Sequence, residues 1–332
     1  MKEVFFYVKY DNIIVLQTYL DTIANAFRKN GYSVQFVKDL SHVSKKDFVF
    51  FSLGLDVVKY YFKGYKNFGL WQQGVTADES YMRHKSKIRY VLLNSIDCFA
   101  MKKSKILFFV SEELKKHYES KAKKDFADKS YIMPCFNEQI TKDFAIEKDY
   151  KQKSFCYVGS LSKWQCFDAT VDLFLKIQNI HSDATLKVLT FQEEEAKAIL
   201  EAKKVRNYIV KCVDKYEVKD ELKDVSFGFV IREDNIINRV STPTKFSSYL
   251  CAGVLPIYSE CLRDYYKNTE HLQIGCPLSQ NDEGKVIDYI SLNHEAKEIT
   301  RNIKSIFDNY YSIEKYESDI RKFLYRVLNS PK

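Results

Sequence analysis

Val4-Phe5-Phe6-Tyr7-Val8, Val34-Gln35-Phe36-Val37 and Phe48-Val49-Phe50-Phe51 decide the fold of the N-terminal half. Each is a short, nearly continuous apolar run, and a periodic segment of helical length near 15–29 separates the first two. A strand with water on one face alternates apolar and polar side chains. A strand apolar throughout is covered on both faces, as in a parallel sheet built from βαβ units. The rhythm continues through Phe68-Gly69-Leu70-Trp71, a long polar helical region at 79–103, Ile106-Leu107-Phe108-Phe109-Val110, a charged helix opening at Ser111, and Tyr131-Ile132-Met133 before Pro134. Six strands are expected in this half.

Between 136 and 153 the periodicity lapses into Asn137-Glu138-Gln139 and Glu147-Lys148-Asp149-Tyr150-Lys151-Gln152-Lys153, the composition of an interdomain connection. The rhythm then restarts, with strands expected at Phe155–Val158, Leu186–Leu189, Tyr208–Val213, Phe227–Ile231 and Leu255–Tyr258. In the first helix of this half, Cys166, Ala169, Leu173, Ile177 and Ile180 are spaced to form one buried stripe. Residues 295–328 read as one or two helices with Ile299, Ile303, Ile306 and Phe307 on one side. The expected fold class is α/β, with two Rossmann-like domains over 1–140 and 154–294 and C-terminal helices over 295–332 able to pack back across them. Open α/β sheets bind ligands beyond the carboxyl ends of their strands, so two such domains facing a cleft would place the useful residues just after strands.

Bulk properties agree with two ordered domains. The 332 residues are about twice a common domain length, and 45% apolar residues suffice for two cores. Glycine and proline number only 10 and 5 against 24 tyrosines and 24 phenylalanines, which argues against long disordered linkers. No run is long and apolar enough for a membrane span, and the start lacks the pattern of a signal peptide, so a cytoplasmic protein is expected. Eight cysteines form no CxxC pair and no metal-ligand spacing, and read as reduced, mostly packed thiols. The net charge of +8 comes without an Arg-rich block or an aromatic RNA-binding signature. It suits an anionic small ligand or the anionic inner face of a membrane at least as well as nucleic acid.

The sharpest local signal is Thr242-Pro243-Thr244-Lys245-Phe246-Ser247-Ser248-Tyr249-Leu250-Cys251-Ala252-Gly253. Thr242 suits an N-cap, Pro243 the first helical position and Gly253 the left-handed residue past the end. Lys245 then falls in the first turn, where the helix dipole disfavours a cation unless an anion sits there too. A phosphate would resolve the conflict; a lysine reaching out to water is the alternative. Tyr157-Val158-Gly159-Ser160-Leu161-Ser162-Lys163-Trp164 takes a strand into a polar loop, with Gly159 allowing close backbone approach and Lys163 in reach, or else makes an ordinary turn. Arg232 follows the Phe227–Ile231 strand, where it would grip a phosphate or pair with the neighbouring Glu233 and Asp234. In the first half, Gly69-Leu70-Trp71-Gln72-Gln73-Gly74 leads to Ala77-Asp78-Glu79-Ser80, in which Gln73 and Glu79 are candidates for sugar hydroxyls or else ordinary solvated loop residues. No Asp-x-Asp pair, HExxH or nucleophile elbow occurs, which argues against metal-dependent transfer and a serine hydrolase.

In this order, Val158-Gly159-Ser160 with Lys163, Arg232 after its strand, and Ser241-Thr242-Pro243-Thr244-Lys245-Phe246 leading to Tyr249-Leu250-Cys251-Ala252-Gly253-Val254-Leu255-Pro256-Ile257 resemble the donor-binding domain of GT-B glycosyltransferases, especially retaining enzymes like family 4 of bacterial surface-polysaccharide type. Trp71-Gln72-Gln73-Gly74, Val110-Ser111-Glu112-Glu113-Leu114 and Ile132-Met133-Pro134 are similar to parts of the acceptor domain. The resemblance covers about residues 1–290 and is strongest over 155–257. It implies that Lys163, Lys245 and Arg232 act on the donor diphosphate, that Gly159, Ser160, Thr242, Thr244 and Ser248 bind the donor, and that Gln73, Gly74 and Glu79 face the acceptor or sugar. The family helix often reads Pro-x-Lys-x-x-Glu-Tyr-Leu, its glutamate on the ribose; Ser248 stands there instead, and Val240 replaces the first carboxylate of the Glu-x7-Glu pattern.

The expected function is therefore transfer of a sugar from a nucleoside-diphosphate sugar to an acceptor hydroxyl, retaining and metal-independent, without a cofactor. The partners are the nucleotide-sugar and a saccharide or lipid-linked saccharide, with peripheral membrane contact and no nucleic acid. A sugar-nucleotide epimerase or phosphorylase of the same fold, or a non-catalytic nucleotide-sugar or nucleic-acid binding module, are the alternatives.

Overall fold

The computed structural model describes residues 2–9, 17–279 and 282–329. In chain order, the first half forms β1 (Glu3–Tyr7), α1 (Gln17–Lys29), β2 (Ser33–Val37), β3 (Phe48–Phe51), α2 (Gly54–Phe62), β4 (Phe68–Gln72), α3 (Thr76–His84), α4 (Lys87–Lys103), β5 (Ile106–Phe109), α5 (Glu112–Ala122) and β6 (Ser130–Ile132). The second forms β7 (Ser154–Val158), α6 (Phe167–Ile180), β8 (Thr185–Leu189), α7 (Glu193–Ala202), β9 (Tyr208–Lys211), α8 (Val218–Glu221), β10 (Phe227–Val230), α9 (Ile236–Arg239), α10 (Lys245–Cys251), β11 (Leu255–Ser259), α11 (Arg263–Thr269), β12 (Cys276–Leu278), α12 (Glu283–Ser291), α13 (Ala296–Asn309) and α14 (Ile313–Asn329). Residues 15 and 16 of the expected first helix lie outside the described residues.

Two compact units result. One comprises residues 1–137, 240–242 and 312–332; the other comprises 138–239 and 243–311. Helix α13 thus belongs to the second unit, while α14 returns to the first and packs on α1. Each unit holds a six-stranded, wholly parallel sheet, in the orders β2-β1-β3-β4-β5-β6 and β12-β11-β10-β7-β8-β9. The runs of β3, β4 and β5 are buried as expected, every residue being covered, but the Val34–Val37 run forms β2 at the sheet edge and has no buried residue, with Gln35 and Phe36 exposed. Phe6 packs on Phe50, and Phe50 on Phe108, across the first sheet at ring-centroid distances of 4.8 and 5.6 Å. The 136–153 connection contains no helix or strand, yet it is fastened to the second unit. Lys148 Nζ donates to the carbonyls of Val225 and Ala252 at 2.6 and 2.7 Å, and Tyr150 Oη to that of Gly253 at 2.6 Å.

Four local expectations are corrected. The polar region at 79–103 is two helices: Lys85 takes a left-handed conformation (φ 54°), and Ser86 restarts the chain by accepting from Arg89 N–H. The buried stripe of α6 is rotated, leaving Ala169 and Ile180 exposed and covering Thr170 and Gln178. Both polar side chains find backbone partners: Thr170 Oγ1 donates to Cys166 O at 3.0 Å, and Gln178 exchanges bonds with the main chain of Arg206. A sixth strand of the second sheet, β12, was not expected. It has three residues and contains Pro277, tolerated because β12 lies at the sheet edge. Finally, α10 begins at Lys245 with Thr244 in the capping position, so Thr242 is not its N-cap. The Thr242 hydroxyl is engaged within the first unit, where it accepts from Cys135 N–H at 3.0 Å. Gly253 does adopt the left-handed conformation past the helix end (φ 66°).

Candidate functional site

Two groups of candidate residues are assembled, one in each unit. In the second, β7 ends at Val158, and Gly159 takes φ 133°, a conformation that side chains other than glycine rarely adopt. A β-carbon there would stand 3.2 Å from Lys245 Nζ, so the loop backbone lies directly against the lysine head. Lys245 is buried rather than reaching to water. Its ammonium donates to Gln165 Oε1 at 2.9 Å and lies 4.7 Å from the Tyr157 ring centre.

Arg232 is buried too, and the surface pair is absent: Asp234 binds Arg239 at 2.5 and 2.8 Å. Instead Arg232 donates Nη1 to the carbonyls of Gln165 and Ile231, each at 2.8 Å, and Nη2 to Gln165 Oε1 at 2.5 Å. One amide oxygen thus accepts from both cations. Among the described residues neither cation meets a carboxylate. Burial holds the Lys245 ammonium well below its usual pKa, and the Arg232 charge pushes in the same direction. Two positive charges removed from water without a counter-ion are an unfavourable arrangement that a bound anion relieves.

Tyr249 ties the pieces together. Its hydroxyl accepts from Val158 N–H and donates to Phe229 O, each at 3.2 Å, fixing α10 against the ends of β7 and β10. Gly228 makes room, since a β-carbon there would lie 2.5 Å from the Tyr249 ring.

The other donor candidates are disposed less uniformly. Lys163 opens the short 3-10 turn Lys163–Gln165 and is exposed. Ser160 lies in the same loop, its Oγ 3.0 Å from that of Ser162. Thr244 O accepts from the amide and hydroxyl of Ser247, and Ser248 is buried on α10. A cavity of about 590 Å³ opens beyond the carboxyl ends of β10, β11 and β12, with Ile231, Arg232, Ser259 and Leu278 on its wall. Its other charged wall residues are mostly acidic, including Asp172, Glu260 and Asp282, so a diphosphate is better matched beside Gly159 and Lys245, which do not line it.

In the first unit, Gln72 Nε2 donates to Gly74 O at 2.7 Å and to Tyr118 Oη at 3.0 Å. Tyr118 Oη in turn bonds Asp97 Oδ2 at 3.0 Å. Burial pushes Asp97 up to about 6, against the bonds from Tyr118 and Thr76 that pull it down. A β-carbon on Gly74 would stand 2.7 Å from Glu79 Oε1, placing that carboxylate on the loop. Burial raises Glu79, opposed by Arg83 at 3.4 Å, and Gln73 is half-buried beside them.

Sequence reasoning missed Gln165, Asp97 and Tyr118. Gln165 left a faint trace, a neutral hydrogen-bonding residue two positions after Lys163; Asp97 and Tyr118 look like ordinary residues of polar helices. Six of the eight cysteines are buried, and none forms a disulfide. Among the described residues no group of three His, Cys, Asp or Glu side chains is placed to hold a metal ion, and no helix is long and apolar enough to cross a membrane.

No protein-family model and no curated protein sequence matches this chain. Solved structures do. Sucrose-phosphate synthase from Thermosynechococcus elongatus superposes with a TM-score of 0.69 at 9% identity, covering 99% of each chain. An S. aureus TarM mutant in complex with fondaparinux, alpha-GlcNAc-glycerol and UDP gives 0.64 at 10% identity, over 88% of this chain and 57% of that one. A trehalose-6-phosphate structure from E. coli bound with UDP-2-fluoro glucose gives 0.60 at 12% identity, over 92% and 77%. This chain thus spans little more than half the length of TarM. Such likenesses establish the fold: α/β, with two Rossmann-like halves of the GT-B class.

Proposed function

We propose that this chain is a glycosyltransferase that moves a sugar from a nucleoside-diphosphate donor to an acceptor hydroxyl. The observation that carries the proposal is the pair of buried, uncompensated cations, Lys245 and Arg232, sharing Gln165 Oε1 under the Gly159 loop. Neighbours of the same fold bound with UDP or UDP-2-fluoro glucose support a nucleoside diphosphate as the anion.

In this reading Lys245, Arg232 and the exposed Lys163 stabilise charge on the departing diphosphate, while Gly159 lets the backbone approach it. Ser160, Thr244 and Ser248 supply hydrogen bonds to the donor, and Gln73, Gly74 and Glu79 meet the acceptor or sugar. The acceptor oxygen bonds to the anomeric carbon as the bond from that carbon to the phosphate oxygen breaks. The acceptor proton passes to an oxygen of the leaving diphosphate. Attack from the face the diphosphate leaves retains configuration and needs no protein nucleophile. The fixed cations perform the charge stabilisation that a metal would otherwise supply, and the sequence lacks an Asp-x-Asp pair. The setting we propose is bacterial surface-polysaccharide or glycolipid synthesis in the cytoplasm, with a saccharide or lipid-linked saccharide acceptor at the inner membrane face.

A thermal-shift screen over UDP-, GDP-, ADP- and CMP-sugars identifies the donor, and product analysis with and without acceptor separates transfer from epimerisation. Stabilisation by one sugar nucleotide, lost in Lys245→Ala and weakened in Lys163→Ala, is expected. Equal response of both variants and the wild type would remove the site assignment.

A further inference from the structure

One face of the first unit pairs exposed apolar side chains with a one-sided charge. On α4, Ile88, Val91 and Leu92 are 84, 60 and 59% exposed, and their spacing continues to Ser95 on a single helical face. The opposite face buries Asp97, Cys98, Ala100 and Met101, so α4 is already packed and its outer stripe is surplus to the core. The stripe runs on to Phe99, which stacks on Phe62 of α2 with ring centres 5.9 Å apart and planes 14° from parallel. Phe62 itself is 77% exposed.

The charges around this stripe carry one sign. Between residues 53 and 105 ten basic residues stand against four acidic ones, and every fully exposed charged side chain there is basic. The acids are withdrawn: Asp56 and Asp97 are buried, Asp78 is held by Lys121 at 2.7 Å, and Glu79 faces Arg83. Lys87 and Arg89 flank the apolar stripe at one end of α4, and Lys102 and Lys103 at the other. Among the described residues these four form no ion pair with a carboxylate.

We infer that the α2–α4 face docks on an anionic phospholipid bilayer, with Ile88, Val91, Leu92 and Phe62 entering the headgroup boundary and the lysines and Arg89 meeting lipid phosphates. An apolar stripe bordered by unneutralised cations matches that interface on both counts. A second copy of the chain fits worse, because a two-fold contact would set the same cations against one another. The inference rests on the proposed function only for its purpose, delivery of a lipid-linked acceptor.

Flotation of the full chain, without nucleotide, on vesicles of phosphatidylcholine with and without phosphatidylglycerol tests it. Binding is expected only when phosphatidylglycerol is present, and high salt releases the protein. Lys87→Gln with Arg89→Gln weakens partitioning roughly 30-fold. Ile88→Ser with Leu92→Ser abolishes flotation while leaving circular dichroism, melting temperature and donor titration unchanged, so failure here is distinct from failure of the donor site. Absence of flotation on anionic vesicles, or equal flotation of both double variants, overturns the inference. So does a dimer in sedimentation velocity that Ile88→Ser with Leu92→Ser dissolves, which assigns the face to a second copy.

Discussion

Lys245→Met removes one buried charge and keeps an unbranched side chain of similar length. In the free protein the ammonium has lost its water, faces the Arg232 charge, and among the described residues meets Gln165 Oε1 at 2.9 Å and the Tyr157 ring face in return. Replacing a buried ion pair with well-packed apolar side chains is neutral or stabilising by about 1–4 kcal/mol, and removing a buried charge that lacks a counter-ion should gain on the same scale. Gln165 is not orphaned, since Arg232 Nη2 still donates to it at 2.5 Å. The free variant should therefore melt as much as about 16 °C above the wild type, taking roughly 2–4 °C per kcal/mol for a unit of this size. With a diphosphate bound the sign reverses. Losing one partner of a buried charge pair costs about 2–5 kcal/mol, or roughly 30-fold to several thousand-fold in Kd. The pH dependence follows. The folded pKa of Lys245 lies below its unfolded value, so between the two the unfolded chain holds more protons and stability rises with pH. Lys245→Met flattens that rise. Scanning calorimetry of the free protein and calorimetric titration with UDP measure both effects. A variant that melts lower yet binds UDP as tightly as the wild type would refute the reasoning and make Lys245 a structural lysine.

Three further outcomes are expected. Gly159→Ala forces a side chain into φ 133° and sets its β-carbon 3.2 Å from Lys245 Nζ, so donor affinity and stability both fall, the latter by about 1–3 kcal/mol; unchanged titration and melting would contradict this. Gly228→Ala drives a β-carbon to 2.5 Å from the Tyr249 ring, whose hydroxyl is bonded at both sides, and should cost about 1–3 kcal/mol while shifting α10 and weakening donor binding. Asp97, raised from 3.8 to about 6, loses stability as pH climbs through that window, because the folded state holds the extra proton below it. Asp97→Asn should accordingly raise stability at neutral pH by up to about 3 kcal/mol, with the gain vanishing near pH 4; a gain independent of pH would assign it another cause.

The parallel sheets were legible because burial on both faces leaves uninterrupted apolar runs, as in Phe48–Phe51 and Phe227–Ile231. Edge strand β12 was not, since three residues containing a proline carry no such pattern. The stripe of α6 was misplaced by rotation, because Thr170 and Gln178 count as polar in the sequence and become core residues through backbone partners, Thr170 with Cys166 one turn back and Gln178 with Arg206 far along the chain. At the site, Lys245 stood out as a cation in a first helical turn, where an anion relieves it, while Arg232 after its strand read equally as a phosphate ligand or a partner of Glu233 and Asp234. Their meeting at Gln165 was invisible: it joins residues 165, 232 and 245 from three separate segments through one amide oxygen. Thr242 shows the converse. Local capping logic favoured it, and a tertiary bond to Cys135 took its hydroxyl.

If Lys245 and Arg232 hold the diphosphate, affinity must reside in the phosphates rather than in the nucleoside. Calorimetric titration of the wild type with UDP, GDP and ADP beside their parent nucleosides measures this directly. At least one diphosphate should bind roughly 30-fold or more tighter than its nucleoside, by about the 2–5 kcal/mol of a buried charge contact, with the difference collapsing in Lys245→Met. A nucleoside that binds as well as its diphosphate, or no binding by any of the three diphosphates, would contradict a diphosphate site at these two cations.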